Sequence, residues 1–235
     1  MSLPIFYSED LNISQQIITL DEDTSKHVVQ VLRMSKGEPL QLTNGKGALV
    51  TAVIENDNKK KCTVKNTGVK NTDAPVRKTS IAISILKNNT RFEWFLEKAT
   101  EIGITEIIPL ICERTEKHHF RFDRMKNILV SAMLQSQQLW LPQLHEPQKL
   151  NEIIQKSNQQ QKFIAHCIDE EKNSLNKLVD PDAASQIILI GPEGDFSKTE
   201  IAFALQHHFL PVTLGETRLR TETAGVVAAT ILQVS

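Results

Sequence analysis

The chain has 235 residues, of which 40% are hydrophobic and 23% charged, and its formal net charge is −1 at pH 7. This composition is typical of a folded globular protein and excludes a disordered chain, and no apolar run is long enough to span a membrane. Residues 1–72 contain nine Lys and Arg against eight Asp and Glu, and residues 73–235 contain eighteen against twenty. Because the charges nearly balance in both parts, any positively charged surface that binds nucleic acid must be confined to a small part of the chain.

Neither the N-terminus nor the cysteines point to a secreted protein. The first residues, Met1-Ser2-Leu3-Pro4, lack the basic and then apolar pattern of a signal peptide. The three cysteines are widely separated and show neither a metal-ligand spacing nor a disulfide framework: Cys62, Cys112 and Cys167. We therefore expect reduced thiols in a cytoplasmic protein that holds no metal and contacts no membrane.

The first third of the chain combines short strand-like runs with turn residues. Strands are predicted at residues 17–20, 40–43, 49–54 and 62–64. One helix is predicted over residues 24–34, because Val28, Val31 and Leu32 fall on one face. These elements predict a small β-barrel domain with a short helix over residues 1–72, followed by a polar linker near residues 70–75.

From residue 79 onward, strand-like and helical patterns alternate. Strands are predicted at residues 81–86, 107–112, 163–168, 187–190 and 212–214, and helices over residues 92–102, 123–139 and 222–234, with others starting near 150 and 197. Gly103 is predicted to end the first helix, and Ser197 with Glu200 forms a capping box. The alternation predicts an α/β domain over residues 73–235, with a parallel sheet covered on both faces.

Two glycine-containing segments follow strands of this predicted sheet. The first is Gly191-Pro192-Glu193-Gly194, and the second is Leu214-Gly215 followed by Arg218 and Arg220. Glycine permits tight turns and close approach of the backbone to a ligand, and a helix start offers free N–H groups. Ligands bind at the carboxyl ends of parallel strands, so both segments are candidate ligand sites. The alternatives are purely structural turns and a salt bridge from Arg220 to Glu222 or Glu193.

The motifs of several other enzyme classes are absent from the sequence. The chain has neither the glycine triplet of dinucleotide-binding proteins nor a phosphate-binding Gly-Lys-Ser/Thr, and Gly-x-Ser-x-Gly is also missing. The pairs His118-His119 and His207-His208 point their neighbouring side chains in different directions, which makes them poor metal sites. The best candidate for a local basic surface comprises Arg114, Lys117, Arg121, Arg124 and Lys126. This stretch is either a phosphate-binding surface or a solvated face.

Several motifs, in order along the chain, resemble the RsmE family, the 16S ribosomal RNA uracil-N3 methyltransferases of the SPOUT superfamily. The two glycine segments carry the clearest likeness, together with Leu219-Arg220-Thr221-Glu222-Thr223-Ala224. The segment His27-Val28-Val29-Gln30-Val31-Leu32-Arg33 is similar to that family's PUA-like, RNA-binding domain. Glu97-Lys98-Ala99-Thr100-Glu101-Ile102-Gly103 and Ile108-Pro109-Leu110 are similar to the first helix and the next strand of its catalytic domain.

The resemblance implies a SPOUT-type parallel sheet with a trefoil knot, a homodimer, and S-adenosyl-L-methionine as cofactor. It implies a cofactor site formed by Leu110, Gly191, Glu193, Gly194, Leu214, Gly215, Leu219 and Thr223. Arg220 would stabilise charge on a uracil carbonyl oxygen, and Glu222 or Glu193 would serve as the general base. The residues expected to hold phosphates of 16S rRNA, free or in the small ribosomal subunit, are Lys26, Arg33, Arg114 and Arg121.

The sequence departs from the family pattern in three segments. Asp195 stands where the family usually has a second glycine after Gly194. Leu134 and Gln138 stand where it commonly has a glutamate and an arginine, and Thr217-Arg218-Leu219-Arg220 stands where it usually has Arg-Ile-Leu-Arg. Two alternatives to the main interpretation stay open. One is a SPOUT methylase that acts on another RNA nucleotide, and the other is a non-catalytic RNA-binding protein that has kept the pocket for structure.

Overall fold

A computed structural model describes residues 3–116, 119–168 and 172–234, and these residues form two compact units. One unit holds the described residues up to Ala74 together with Met133–Leu141. The other holds Pro75–Ala132 and the described residues from Pro142 onward. Lys117 and His118, which the sequence analysis considered as part of a basic stretch and of a histidine pair, lie outside the described residues.

The first unit is built on a five-stranded sheet. Its strands are β1 (Ile5–Tyr7), β2 (Ile17–Thr19), β3 (Pro39–Thr43), β4 (Ala48–Asn56) and β5 (Thr63–Asn71), in the order β1-β3-β4-β5-β2. Only the β1–β3 pair is parallel. Alternate residues of β4 are buried, from Ala48 to Ile54, so one face of this strand forms the core and the other faces outward.

The predicted helix over residues 24–34 is replaced by two shorter elements. Helix α1 (Glu22–Lys26) is followed by a π-helical turn (His27–Val31), in which the Leu32 N–H donates to the His27 carbonyl at 2.9 Å. This wider turn ends at Arg33, whose φ of 56° lies in the left-handed region. Val28 stays in the core, but the prediction that Val31 and Leu32 share its buried face was wrong, because they are 68% and 44% exposed. The residue that a π turn adds rotates the positions after it away from that face.

The second unit contains an entirely parallel sheet, which confirms the predicted α/β class. The strands are β6 (Lys78–Ser84), β7 (Glu106–Ile111), β8 (Gln143–Leu144), β9 (Gln148–Lys149), β10 (Gln161–Ala165), β11 (Asn173–Ser174), β12 (Ser185–Ile190) and β13 (Leu210–Thr213). Their order is β11-β13-β10-β12-β6-β7-β8, with β9 also paired to β7. Strands β6, β7, β10 and β12 are mostly buried, as expected for a sheet covered on both faces.

Helices join these strands, and their ends follow the sequence signals. The helices are α2 (Asn89–Ile102), α3 (Phe122–Gln135), α4 (Leu150–Lys156), α5 (Leu175–Leu178), α6 (Lys198–Gln206) and α7 (Thr221–Val234). Helix α2 ends at Gly103, whose φ is 94°, and α6 begins with the predicted capping box of Ser197 and Glu200. Helix α7 packs on α2 at Gly225, where an added Cβ would lie 2.6 Å from the Phe95 ring.

A buried carboxylate joins the amino ends of β6 and β7. Glu106 accepts hydrogen bonds from the Ser80 hydroxyl and from His145 Nε2, the latter at 2.8 Å, and Lys78 Nζ lies 3.2 Å away. Burial of Glu106 opposes its ionisation, but the hydrogen bonds from His145 and Ser80 and the charge of Lys78 outweigh burial and lower its pKa to about 2.

This lowered pKa predicts an acid-sensitive contribution to stability. The pKa of Glu106 in the folded chain lies below the reference value of 4.5, so the ionised carboxylate stabilises the fold above that pH. The stabilisation, about 3 kcal/mol, is lost as the pH falls from 4.5 to about 2. We expect urea unfolding to show a steeper loss of free energy over this range for the wild type than for Glu106→Gln.

Glu152→Gln serves as the matched control, because Glu152 is exposed and, among the described residues, forms an ion pair with Lys156 at 3.5 Å. Its stability should follow the wild-type pH dependence. Parallel curves for the wild type and Glu106→Gln would contradict the assignment.

Candidate active site

A pocket lies at the carboxyl edge of the parallel sheet. Strands β13, β10 and β12 are neighbours in the sheet, and the loops after them surround a pocket of about 560 Å³. The pocket is lined by residues of these three loops together with Arg91 and Ala224. The loop residues are 165–167 and 172, 190–193 and 195, and 212–221. Ligands of open parallel sheets bind in this position, and the volume suits a small molecule.

The loop after β12 is tightly packed at its first position. A Cβ on Gly191 would lie 3.1 Å from the buried Phe196 ring and 3.2 Å from the Phe196 nitrogen, so a side chain there would require Phe196 to shift by a few tenths of an ångström. Gly194 is held differently, because its carbonyl accepts a hydrogen bond from Arg114 Nη1 at 2.7 Å. The backbone of this loop is therefore fixed beside the pocket.

Asp195, the departure from the family pattern, keeps the backbone conformation that a glycine would have. Its φ is 64°, a left-handed value that aspartate tolerates better than most residues. Its carboxylate accepts a hydrogen bond from the Cys167 N–H at 2.8 Å and another from the Phe196 N–H at 2.8 Å. Asp195 thus ties the loop after β12 to the loop after β10, and both loops line the pocket.

The loop after β13 forms the opposite wall of the pocket and carries most of its exposed charge. Gly215 has a φ of 156°, and an added Cβ there would meet nothing within 4 Å. Arg218 and Arg220 follow it, both exposed and both lining the pocket. Helix α7 begins directly after Arg220, whose carbonyl accepts a hydrogen bond from the Ala224 N–H at 2.7 Å. The start of this helix therefore faces the pocket with its first turn.

The pocket brings together six of the ten predicted cofactor and catalytic residues. These six are Gly191, Glu193, Leu214, Gly215, Leu219 and Arg220. The other four are not among the residues that line it. Leu110 is fully buried in β7, Gly194 follows Glu193 in the loop, and Thr223 is half-buried in α7. Glu222 is 7% exposed and lies in the first turn of α7.

The predicted RNA-binding residues occupy varied surroundings. In the first unit, Lys26 pairs with Glu22 at 2.8 Å, which raises the pKa of Lys26, and Arg33 is exposed at the end of the π turn. In the second unit, Arg121 is exposed and Arg114 contacts the Gly194 carbonyl. Of the other basic residues near Arg121, Arg124 forms a bidentate pair with Glu93, at 2.6 and 3.0 Å, that lowers the pKa of Glu93.

Sequence reasoning missed the residues that reach the pocket from β10 and α2. His166, Cys167 and Lys172 follow β10, and Lys172 Nζ donates to the carbonyls of His166 and Ile168 at 2.7 Å. Arg91 reaches the pocket from the first turn of α2. The strand after which these loop residues lie was predicted, but its position between β13 and β12 depends on the order of strands in space, which no local pattern reveals.

Comparison with known families identifies the class of protein to which this fold and pocket belong. Residues 72–233 match the family model described as RNA methyltransferase domain, and residues 20–65 match the model described as RNA methyltransferase PUA domain. The chain therefore belongs to the RNA methyltransferase family. Full-length relatives narrow this class further, and by them the chain is a member of the RsmE family within it.

Three of these relatives show how far the similarity extends. A ribosomal RNA small subunit methyltransferase E from Buchnera aphidicola is 29% identical over 97% of this chain and 92% of its own. A crystal structure of a Porphyromonas gingivalis protein described as a probable rRNA-methyltransferase is 36% identical, with a TM-score of 0.90 over 98% of each chain. The S-adenosyl methionine-bound structure of ribosomal RNA small subunit methyltransferase E from Neisseria gonorrhoeae is 29% identical, with a TM-score of 0.86 over 99% of this chain and 97% of that one.

The two hydrogen bonds of Asp195 predict a graded response to substitution. Asp195→Asn keeps an acceptor and tolerates the left-handed backbone, Asp195→Gly keeps only the backbone, and Asp195→Ala keeps neither. We expect the free energy of unfolding to fall in that order, with a loss of about 1–3 kcal/mol for alanine. Urea unfolding measures the free energy of unfolding of each variant. Equal stability of the glycine and alanine variants would show that the left-handed backbone carries no cost.

Proposed function

We propose that this protein transfers a methyl group from S-adenosylmethionine to N3 of a uridine in 16S ribosomal RNA. One observation carries the proposal: in a chain of the RsmE family, the glycine segments after β12 and β13 line one pocket at the carboxyl edge of the sheet. The relative from Neisseria gonorrhoeae, whose structure matches nearly the whole chain, is bound to S-adenosyl methionine. We therefore assign the chemistry to this pocket.

The residues of the pocket fit a nucleoside-containing cofactor. Gly191 and Gly194 offer backbone groups without side chains, and the open space at Gly215 admits a flat ring. We assign the border of the adenine to Leu214, Gly215 and Leu219, and we assign Glu193 to the same site because it lines the same pocket. The residues that support the site from outside the lining are Leu110, Gly194 and Thr223.

Arg220 is assigned to the substrate base. Bound S-adenosylmethionine supplies the electrophilic methyl group. Uracil N3 carries a weakly acidic proton, so the protein must favour the deprotonated ring. Arg220 lines the pocket and makes no hydrogen bond through its side chain with the described residues, so its planar fork of donors is available to a uracil carbonyl oxygen that gains negative charge. The target base pairs through N3 in duplex RNA and must be unpaired to enter.

The RNA contacts are assigned to exposed cations in each unit. In the first unit, Lys26 and Arg33 flank the π turn, where Val31 is 68% exposed, and this stretch lies within the residues that match the PUA domain. In the second unit, we assign Arg121 and Arg114 to phosphates, with Arg114 also holding the Gly194 carbonyl. Because the chain is nearly neutral, these local contacts have to supply the attraction to phosphate.

Three further properties belong to this proposal. We propose a homodimer, supported by apolar side chains that stay exposed on α2 and α7, Trp94 at 42% and Val234 at 78%.

We propose a trefoil knot around the pocket, supported by the crossed strand order and by the return of α7 to pack on β6 and α2. A cytoplasmic location follows from the ribosomal substrate, and the structure holds no helix able to span a membrane within its described residues. Light scattering tests the dimer, and an experimental backbone trace tests the knot.

A calorimetric titration with S-adenosylmethionine tests the cofactor site. We expect saturable binding by the wild type and a loss of more than about 100-fold in affinity for Gly215→Trp, because the indole would occupy the pocket. Gly37→Trp is the matched control: Gly37 also has a left-handed φ and open space around it, but lies in the first unit. No binding by the wild type, even with RNA present, would favour the non-catalytic RNA-binding protein.

The modified nucleoside tests the substrate base. We expect 16S rRNA from a strain that lacks this gene to lose one 3-methyluridine, detected by mass spectrometry of digested RNA. The wild type should restore it, and Arg220→Ala should restore it at a rate lower by about 100-fold. Loss of a different methylated nucleotide would instead support a SPOUT methylase that acts on another position. Methylation of free rRNA and of small subunits in vitro separates the two forms of the substrate.

A further inference from the structure

One arginine of the pocket differs from the others because a buried carboxylate stands beside it. Arg91 lies in the first turn of α2 and lines the pocket, and its side chain is 40% exposed. Its Nε lies 3.6 Å from Oε1 of Glu222, whose side chain is 9% exposed. Oε2 of Glu222 is buried and has no hydrogen-bond partner among the described residues.

The surroundings of Glu222 favour a role in holding Arg91. An ionised carboxylate is costly to bury unless a charge or hydrogen bonds compensate it. Arg91 is the cation that pairs with Glu222 within the described chain, and the position of Glu222 in the first turn of α7 adds the favourable field of a helix N-terminus. Glu222 does not contribute to the described lining of the pocket. Its carboxylate is therefore placed to orient a neighbour and poorly placed to take a proton from a ligand.

Arg91, in contrast, is placed to meet the ligand. Within the described residues, it forms the ion pair with Glu222 and no hydrogen bond with protein, so most of its five donors are available. Arg218 and Arg220 lie on an exposed loop, whereas Arg91 projects from a helix that Asn88 caps and α7 packs against. A cation held in place before the substrate arrives stabilises developing charge better than one that must first be ordered.

We propose that Arg91 is a further catalytic residue that contacts the uracil ring, and that Glu222 is its positioning residue rather than the general base. This inference rests on the proposed function. The N3–H proton passes to solvent water, and the negative charge spreads onto the ring carbonyl oxygens, where Arg91 and Arg220 donate hydrogen bonds. The N3–C bond then forms as the S–C bond breaks, and the electron pair of that bond remains on sulfur.

The test uses single-turnover methylation of RNA by the wild type, Arg91→Gln, Glu222→Gln and the double variant, at saturating cofactor and RNA. We expect Arg91→Gln to slow transfer by about 100-fold, with the affinity for S-adenosylmethionine unchanged. The rise of rate with pH should move to higher pH, because the ring loses its proton less readily. Glu222→Gln should show a smaller loss of the same kind. The double variant should be no slower than Arg91→Gln, because both changes remove one interaction.

Control variants distinguish a loss of catalysis from a loss of folding. Arg91→Lys retains the charge, so it should recover part of the rate and most of the pH profile. Lys98 and Glu101 form an ion pair on the same helix at 3.0 Å, and neither lines the pocket. Lys98→Gln and Glu101→Gln should leave both the rate and its pH dependence unchanged. Cofactor affinity reports whether each variant is folded.

Three outcomes would overturn the proposal. A change in RNA affinity alone, with rate and pH profile intact at saturation, would make Arg91 a phosphate contact. A Glu222→Gln variant much slower than Arg91→Gln would make Glu222 the general base. Multiplicative losses in the double variant would show that the two residues act separately. Failure of the proposed function is distinguishable, because the wild type would then transfer no methyl group to uridine.

Discussion

The parallel direction of the strands in the second unit is the constraint on which the site depends. Because β10, β12 and β13 run the same way and lie side by side, the three loops that follow them emerge at one edge. Segments separated by more than twenty residues along the chain therefore converge on one pocket. The buried strands beneath leave these loops little freedom to move away, and α7 packs on β6 and α2 to hold the first turn beside the pocket.

Asp195 shows how a family position can change its residue while keeping its geometry. Glycine satisfies a left-handed φ by having no Cβ, whereas aspartate satisfies it through local hydrogen bonds that its short side chain makes with backbone N–H groups. Here one of those bonds reaches the Cys167 N–H in the next loop. Asp195 thus adds a connection between two loops of the pocket that a glycine could not form, and the loop keeps its left-handed backbone at this position.

Local sequence patterns predicted the parallel sheet and many element ends, and they could not predict spatial order. The end of α2 at Gly103 and the capping box at Ser197 depend on neighbouring residues alone, so each could be identified from a few letters. Lys172 enters the pocket because β10 lies between β13 and β12, and Arg91 enters it from α2, which follows β6, the neighbour of β12 on its other side. The π turn at residues 27–31 was also missed, because the spacing of Val28, Val31 and Leu32 predicts a regular helix, yet of these three side chains Val28 alone is buried.

The distribution of charge explains how a nearly neutral chain can handle an anionic substrate. Arg114 donates to the Gly194 carbonyl and Arg124 pairs with the Glu93 carboxylate, so these two side chains already stabilise the fold. The pocket arginines on the loop after β13 make no such contacts with the described residues. Arg91 combines both properties, because it lines the pocket and also pairs with the buried Glu222. A partly buried ion pair is weak evidence for stability, since desolvation of the carboxylate offsets the attraction. Its position beside the pocket is better explained by the orientation it gives to Arg91.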